Sequence, residues 1–119
     1  MFQKRWCRPE GRAGELWGYN ETVVRPLIGP GYFVAHATAE NGTDVRGAVV
    51  VDYFQVPHGA TPAGWPRVRP NSRGLQMFVY NKTRDYMRRV SEHVSIGIAY
   101  RKESRVMGYF VLCREQSTS

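Results

Sequence analysis

The dipeptide Asn41-Gly42, set between two runs of β-branched and aromatic residues, most limits what this chain can fold into. Asn-Gly favours the type I′ turn, whose twist matches that of paired antiparallel strands. Residues 32–39, the turn Glu40-Asn41-Gly42-Thr43 and residues 45–56 are therefore expected to form a β-hairpin. In the return strand Val45, Val49, Val51 and Tyr53 fall on one side, and Arg46, Ala48, Val50, Asp52 and Phe54 on the other. Bulky apolar residues on both sides near its end place that part of the strand centrally, covered on both faces.

A second hairpin is written near the C-terminus. Val94, Ile96, Ile98 and Tyr100 alternate with Ser95, Gly97 and Ala99, and residues 106–113 return after Lys102-Glu103-Ser104. A further strand is expected over 16–24, broken by Pro26 and the turn Gly29-Pro30-Gly31, and another over 74–80. Residues 1–16 read as an irregular basic arm with Trp6 as its anchor. The spacing of Tyr86 and Val90, with Asn81 or Thr83 as cap and Asp85 in the first turn, predicts a short helix over 81–93 that turns Arg84, Arg88 and Arg89 to solvent. The sum is a mainly β (α+β) protein, a small antiparallel β-barrel or sandwich of five to six strands with one short helix, in a single domain over 1–119. A chain of 119 residues has room for one core.

Charge narrows the function. Fourteen arginines and three lysines face ten carboxylates, for a formal net charge of +7 and a pI near 9.9. Such an excess points to an anionic partner, and arginine suits phosphate in particular because its planar guanidinium pairs bidentately. The basic residues gather in two places. Residues 57–74 hold four prolines, three glycines, three arginines and no acid, a loop long enough to suggest a working segment. Within it Arg67 and Arg69 alternate, about 6.5 Å apart by strand rise, Arg73 follows, and Trp65 is placed to stack on an unpaired base or to plug the core. Lys82, Arg84, Arg88 and Arg89 form the second cluster. Tyr80, Tyr86, Tyr100 and Tyr109 supply further rings for a stacking surface.

The expected activity is binding of RNA or single-stranded nucleic acid by a non-enzymatic accessory protein, through Trp65, Arg67, Arg69, Arg73, Lys82, Arg84, Arg88 and Arg89. A homodimer paired through a C-terminal edge strand would double that surface. No Cys-x-x-Cys, His-Glu-x-x-His or glycine-rich phosphate loop occurs, so no metal, cofactor or catalytic residue is expected. No run is apolar enough to span a membrane, and a cytoplasmic or nuclear location follows unless a signal peptide has been removed. One alternative is a secreted binding module, stapled by Cys7 and Cys113 and glycosylated at the Asn-x-Thr triplets of Asn20, Asn41 and Asn81. Another is a metal-free phosphodiesterase or ribonuclease using His36, His58 or His93 as acid and base.

Overall fold

Seven antiparallel strands follow one another in chain order across a single sheet, which curls into a half-barrel. The computed structural model describes residues 2–11, 13–22, 25–38, 46–72, 79–103 and 105–114. The strands are β1 (Gln3–Cys7), β2 (Glu15–Glu21), β3 (Phe33–Ala37), β4 (Val49–Asp52), β5 (Thr83–Arg89), β6 (Val94–Arg101) and β7 (Arg105–Cys113), with one helical turn, α1 (Arg25–Ile28), between β2 and β3. Every neighbouring pair is a meander partner, so among the described residues β1 and β7 are the two edges. The curl brings those edges close on the inside: the Lys4 ammonium of β1 lies 5.5 Å from the ring centre of Phe110 on β7. The result is a single compact β-barrel-like domain with a radius of gyration of 13.9 Å.

Period-two alternation sorts the side chains onto two faces. Phe33 and Ala35 of β3 oppose Val51 of β4, and with Tyr53 and Met87 they form the inner core. Trp6, Leu16, Val49, Tyr80, Phe110 and Leu112 pack against this cluster. Two glycines make room for rings: a Cβ at Gly18 would overlap Phe33 and one at Gly97 would overlap Phe110. On the outer face Trp17, Tyr19, Tyr32 and Val34 are also fully buried, because the segment 57–71 folds across them. Both faces at the end of β4 are covered, as Val50 and Val51 are each buried.

Three expectations need correction. Residues 83–89 form a strand, not a helix. Asp85 and Met87 point inward, whereas Arg84, Tyr86 and Arg88 point outward, and this alternation, completed by pairing on both sides with β4 and β6, prevails over the i, i+4 stripe. Residues 3–7 are a strand rather than an irregular arm, paired with β2 in register from Gln3↔Glu21 to Cys7↔Trp17. Among the described residues the strand count is therefore seven instead of five or six, and the only helix is the four-residue α1. The Asn41-Gly42 turn and most of the strand expected over 74–80 lie outside the described residues, although the strands that the turn was read to join, β3 and β4, do pair from Val34↔Asp52 to Ala37↔Val49.

Candidate nucleic-acid interface

The outer face of β3 to β6 holds a cleft of about 320 Å³ lined by His36, Thr38, Arg46, Asp52, Gln55, Arg84, Tyr86 and Glu103, with Val50 on its wall. Strand alternation turns His36, Val50, Asp52, Arg84 and Tyr86 outward together. Glu103 comes from the β6–β7 hairpin, where it and Lys102 adopt left-handed backbone angles of 65° and 53°. That tight turn swings its carboxylate back over β5.

The cleft is an interlocked charge network. The Arg46 guanidinium sits 3.7 Å above the centre of the Tyr86 ring and bonds Glu103 at 2.7 Å. Tyr86 donates its hydroxyl to both Glu103 oxygens, at 2.8 and 2.7 Å. Arg84 pairs with Glu103 through one nitrogen and with Asp52 at 3.1 Å through another, and its plane lies 4.3 Å from the ring centre of Phe54. Asp52 also caps the following turn, accepting from the Phe54 amide and from Gln55 at 2.9 Å each. Burial and then the hydrogen bond to Glu103 push the Tyr86 phenol up to about 12. Burial alone would raise the Glu103 carboxyl, yet the donors Tyr86, Arg84 and Arg46 hold it below its ordinary value. Burial tends to lower Arg84, but Glu103 and Asp52 keep it above the usual guanidinium value. This network fixes two guanidiniums and a tyrosine in place rather than leaving them to search.

The sequence-derived residues divide among several places. Arg84 and Arg88 share the outer face, Arg84 half-buried in the cleft wall and Arg88 exposed beyond it. Arg89 points to the opposite face, and its guanidinium caps the β5–β6 turn through the Ser91 and Glu92 carbonyls at 3.0 and 3.3 Å. Lys82 is exposed in the turn before β5, in a left-handed conformation with φ of 60°. Arg67 and Arg69 are exposed on the segment 57–71, and Arg73 lies outside the described residues. Trp65 is half-buried, its ring centre 4.9 Å from that of Tyr19 and 6.3 Å from that of Tyr32. Tyr32 donates to the Pro66 carbonyl at 2.6 Å, and Asn71 donates to the Tyr32 and Tyr53 carbonyls at 2.8 and 2.9 Å. Trp65 thus helps pin the long segment to the sheet and so fixes where Arg67 and Arg69 emerge.

The rings available for stacking lie elsewhere on the outer face. Tyr109 is 77% exposed and opposes Ile98, Arg84 opposes Tyr100, and Arg88 opposes Ile96. Ile96 and Val111, themselves cross-strand partners, are exposed beside them. Sequence reasoning missed Arg46, Asp52, Gln55 and Glu103. The alternation in residues 45–54 already set Arg46 and Asp52 on one side, but nothing local linked Arg46 to Glu103, 57 residues away.

Of the three histidines, His36 lines the cleft with Nδ1 2.8 Å from the Ala37 carbonyl oxygen, His58 rests against Trp17, and His93 is exposed next to Glu92. Cys7 and Cys113 are free thiols. The Asn20 side chain is buried inside the half-barrel, where no glycan could be attached. Among the described residues no group of three His, Cys, Asp or Glu side chains is placed to hold a metal ion. Comparison of the chain with protein-family models, with curated proteins and with solved structures finds no match.

Proposed function

We propose that the protein is a non-enzymatic accessory factor that binds RNA or another single-stranded nucleic acid across the outer face of β5 to β7. The observation that carries this reading is the 77% exposed ring of Tyr109 on the same sheet face as Arg84 and Arg88. An exposed ring offers each base a stacking platform, and cations alongside it track the phosphates. Arg84 and Arg46, held by Glu103 and Asp52, shape the cleft edge where a base or phosphate would lodge. The phosphate contacts fall to the exposed Arg88 and Lys82 and, where the strand continues over β2 and β3, to the exposed Arg67 and Arg69 of the segment 57–71. β7 is a sheet edge, and a two-fold dimer paired along it would join two such faces.

A polarisation titration with a labelled single-stranded RNA tests the reading. With about four phosphates neutralised, log K should fall against log salt with a slope of about −3. Absence of salt-sensitive binding to any single-stranded RNA or DNA would remove it.

A further inference from the structure

Inside the half-barrel, on the face away from the cleft, lies a group of polar side chains that the proposed function does not use. Lys4 of β1 is directly opposite Asn20 of β2 in the strand register, and its ammonium is turned into the core with a side-chain exposure of 4%. There Nζ lies 2.9 Å from Asn20 Oδ1, 2.6 Å from the Tyr53 hydroxyl and 3.4 Å from Asp85 Oδ2. Asn20 Nδ2 donates to the Gly31 carbonyl at 3.0 Å and to the same Tyr53 hydroxyl at 2.9 Å. Four aromatic rings enclose the ammonium, those of Phe2, Phe33, Tyr53 and Phe110, with centres 5.3 to 5.5 Å away.

A lone ion pair would need only Lys4 and Asp85. Here the amine also meets a carboxamide whose nitrogen is held from the far side, so that its carbonyl is presented to Nζ. We propose that Lys4 and Asn20 become joined by an isopeptide bond between Nζ and Cγ, with Asp85 as the acid–base group and Tyr53 as the proton relay.

The step balances without any co-reactant. Asp85 takes one proton from the ammonium, and the freed lone pair of Nζ forms the new bond to Cγ while the carbonyl electrons move onto Oδ1. A second Nζ proton passes by way of the Tyr53 hydroxyl, which touches both nitrogens, to Nδ2. The carbonyl then reforms, the Cγ–Nδ2 bond breaks and ammonia leaves. Asp85 gives up its proton to the departing ammonia, so the sum is ammonium plus carboxamide to secondary amide plus ammonium ion. Burial favours the uncharged forms this requires: it lowers Lys4 and raises Asp85, each against the pull of the other. The fixed strand register supplies proximity, and the aromatic enclosure keeps water from competing for the carbonyl. The product would tie the edge strand β1 covalently to β2.

The test is the intact mass of the full chain, purified folded and measured after denaturation, followed by tryptic mapping. The expected mass is lower than the sequence mass by one ammonia, with fragment 1–5 recovered covalently joined to fragment 13–46. Asp85→Asn should restore the full mass, and Tyr53→Phe should slow the loss in freshly folded protein; circular dichroism reports whether either variant has folded, and the wild-type mass decides regardless. A wild-type chain at its full sequence mass that trypsin cleaves after Lys4, releasing fragment 1–4 unlinked, would overturn the proposal. So would an ammonia loss confined to fragment 13–46, or loss of water with fragment 1–5 joined to fragment 85–88.

Discussion

The guanidinium of Arg46 rests 3.7 Å above the ring centre of Tyr86, and both residues bind the carboxylate of Glu103, closing a triangle across β5 and the β6–β7 hairpin. Glu103 is thus the common acceptor of Tyr86 on β5 and of Arg46 from the segment that precedes β4. Its carboxyl is depressed in the folded protein, so its contribution is present in full above the ordinary carboxylate value of 4.5 and is lost as pH falls through the lower folded value. Glu103→Gln is expected to lower stability by about 1 kcal/mol near neutral pH, a figure reduced for the solvent that reaches this half-open site. Urea denaturation at several pH values should show the two proteins converging in acid.

Gly97 lies under the ring of Phe110, where an added methyl has no room. Gly97→Ala should destabilise the β6–β7 pair by about 1 to 3 kcal/mol through overpacking. Phe110→Leu in the same chain should recover part of that loss, since the clash is with the ring and not with backbone. Chemical denaturation of the two single variants and the double variant measures the coupling.

Alkaline pH should separate the buried phenols. Burial first, and for Tyr86 the Glu103 carboxylate second, push Tyr32 and Tyr86 up to about 12 from 10.0. Because the folded values are raised, their contribution is complete below pH 10.0 and is lost as pH rises towards about 12. Ultraviolet titration should therefore show a late-ionising class, and Tyr86→Phe should remove one member of it.

Strands were legible where the period-two pattern was uninterrupted. The pairs β3–β4 and β6–β7 follow directly from alternation in residues 32–56 and 94–113. β5 was misread because Tyr86 and Val90 fit a helical spacing, and its true alternation includes Asp85, a charged residue that belongs inside only because Lys4 meets it there. Lys4 in turn sits in a polar, basic stretch whose composition resembles a solvated arm. Both placements depend on contacts between the first strand and the fifth, and no local window contains them. The same holds for the cleft. Arg84 was visible as a basic residue, while its partners Asp52 and Glu103 come from other strands and turns. Trp65 was legible as important but open between base stacking and core plugging, and its contacts with Tyr19 and Tyr32 now give it a packing role.

The central claim is that nucleic acid is bound by one face of the sheet and not by positive charge in general. Arg88 and Arg105 are both exposed, but Arg88 lies on the outer face opposite Ile96, whereas Arg105 opposes Arg101 on the other face. Arg88→Glu and Arg105→Glu change the net charge equally, so comparing their affinities for single-stranded RNA at one salt concentration isolates position. The account predicts a loss of about tenfold or more for Arg88→Glu, with several-fold less for Arg105→Glu. Equal losses in the two variants would contradict it.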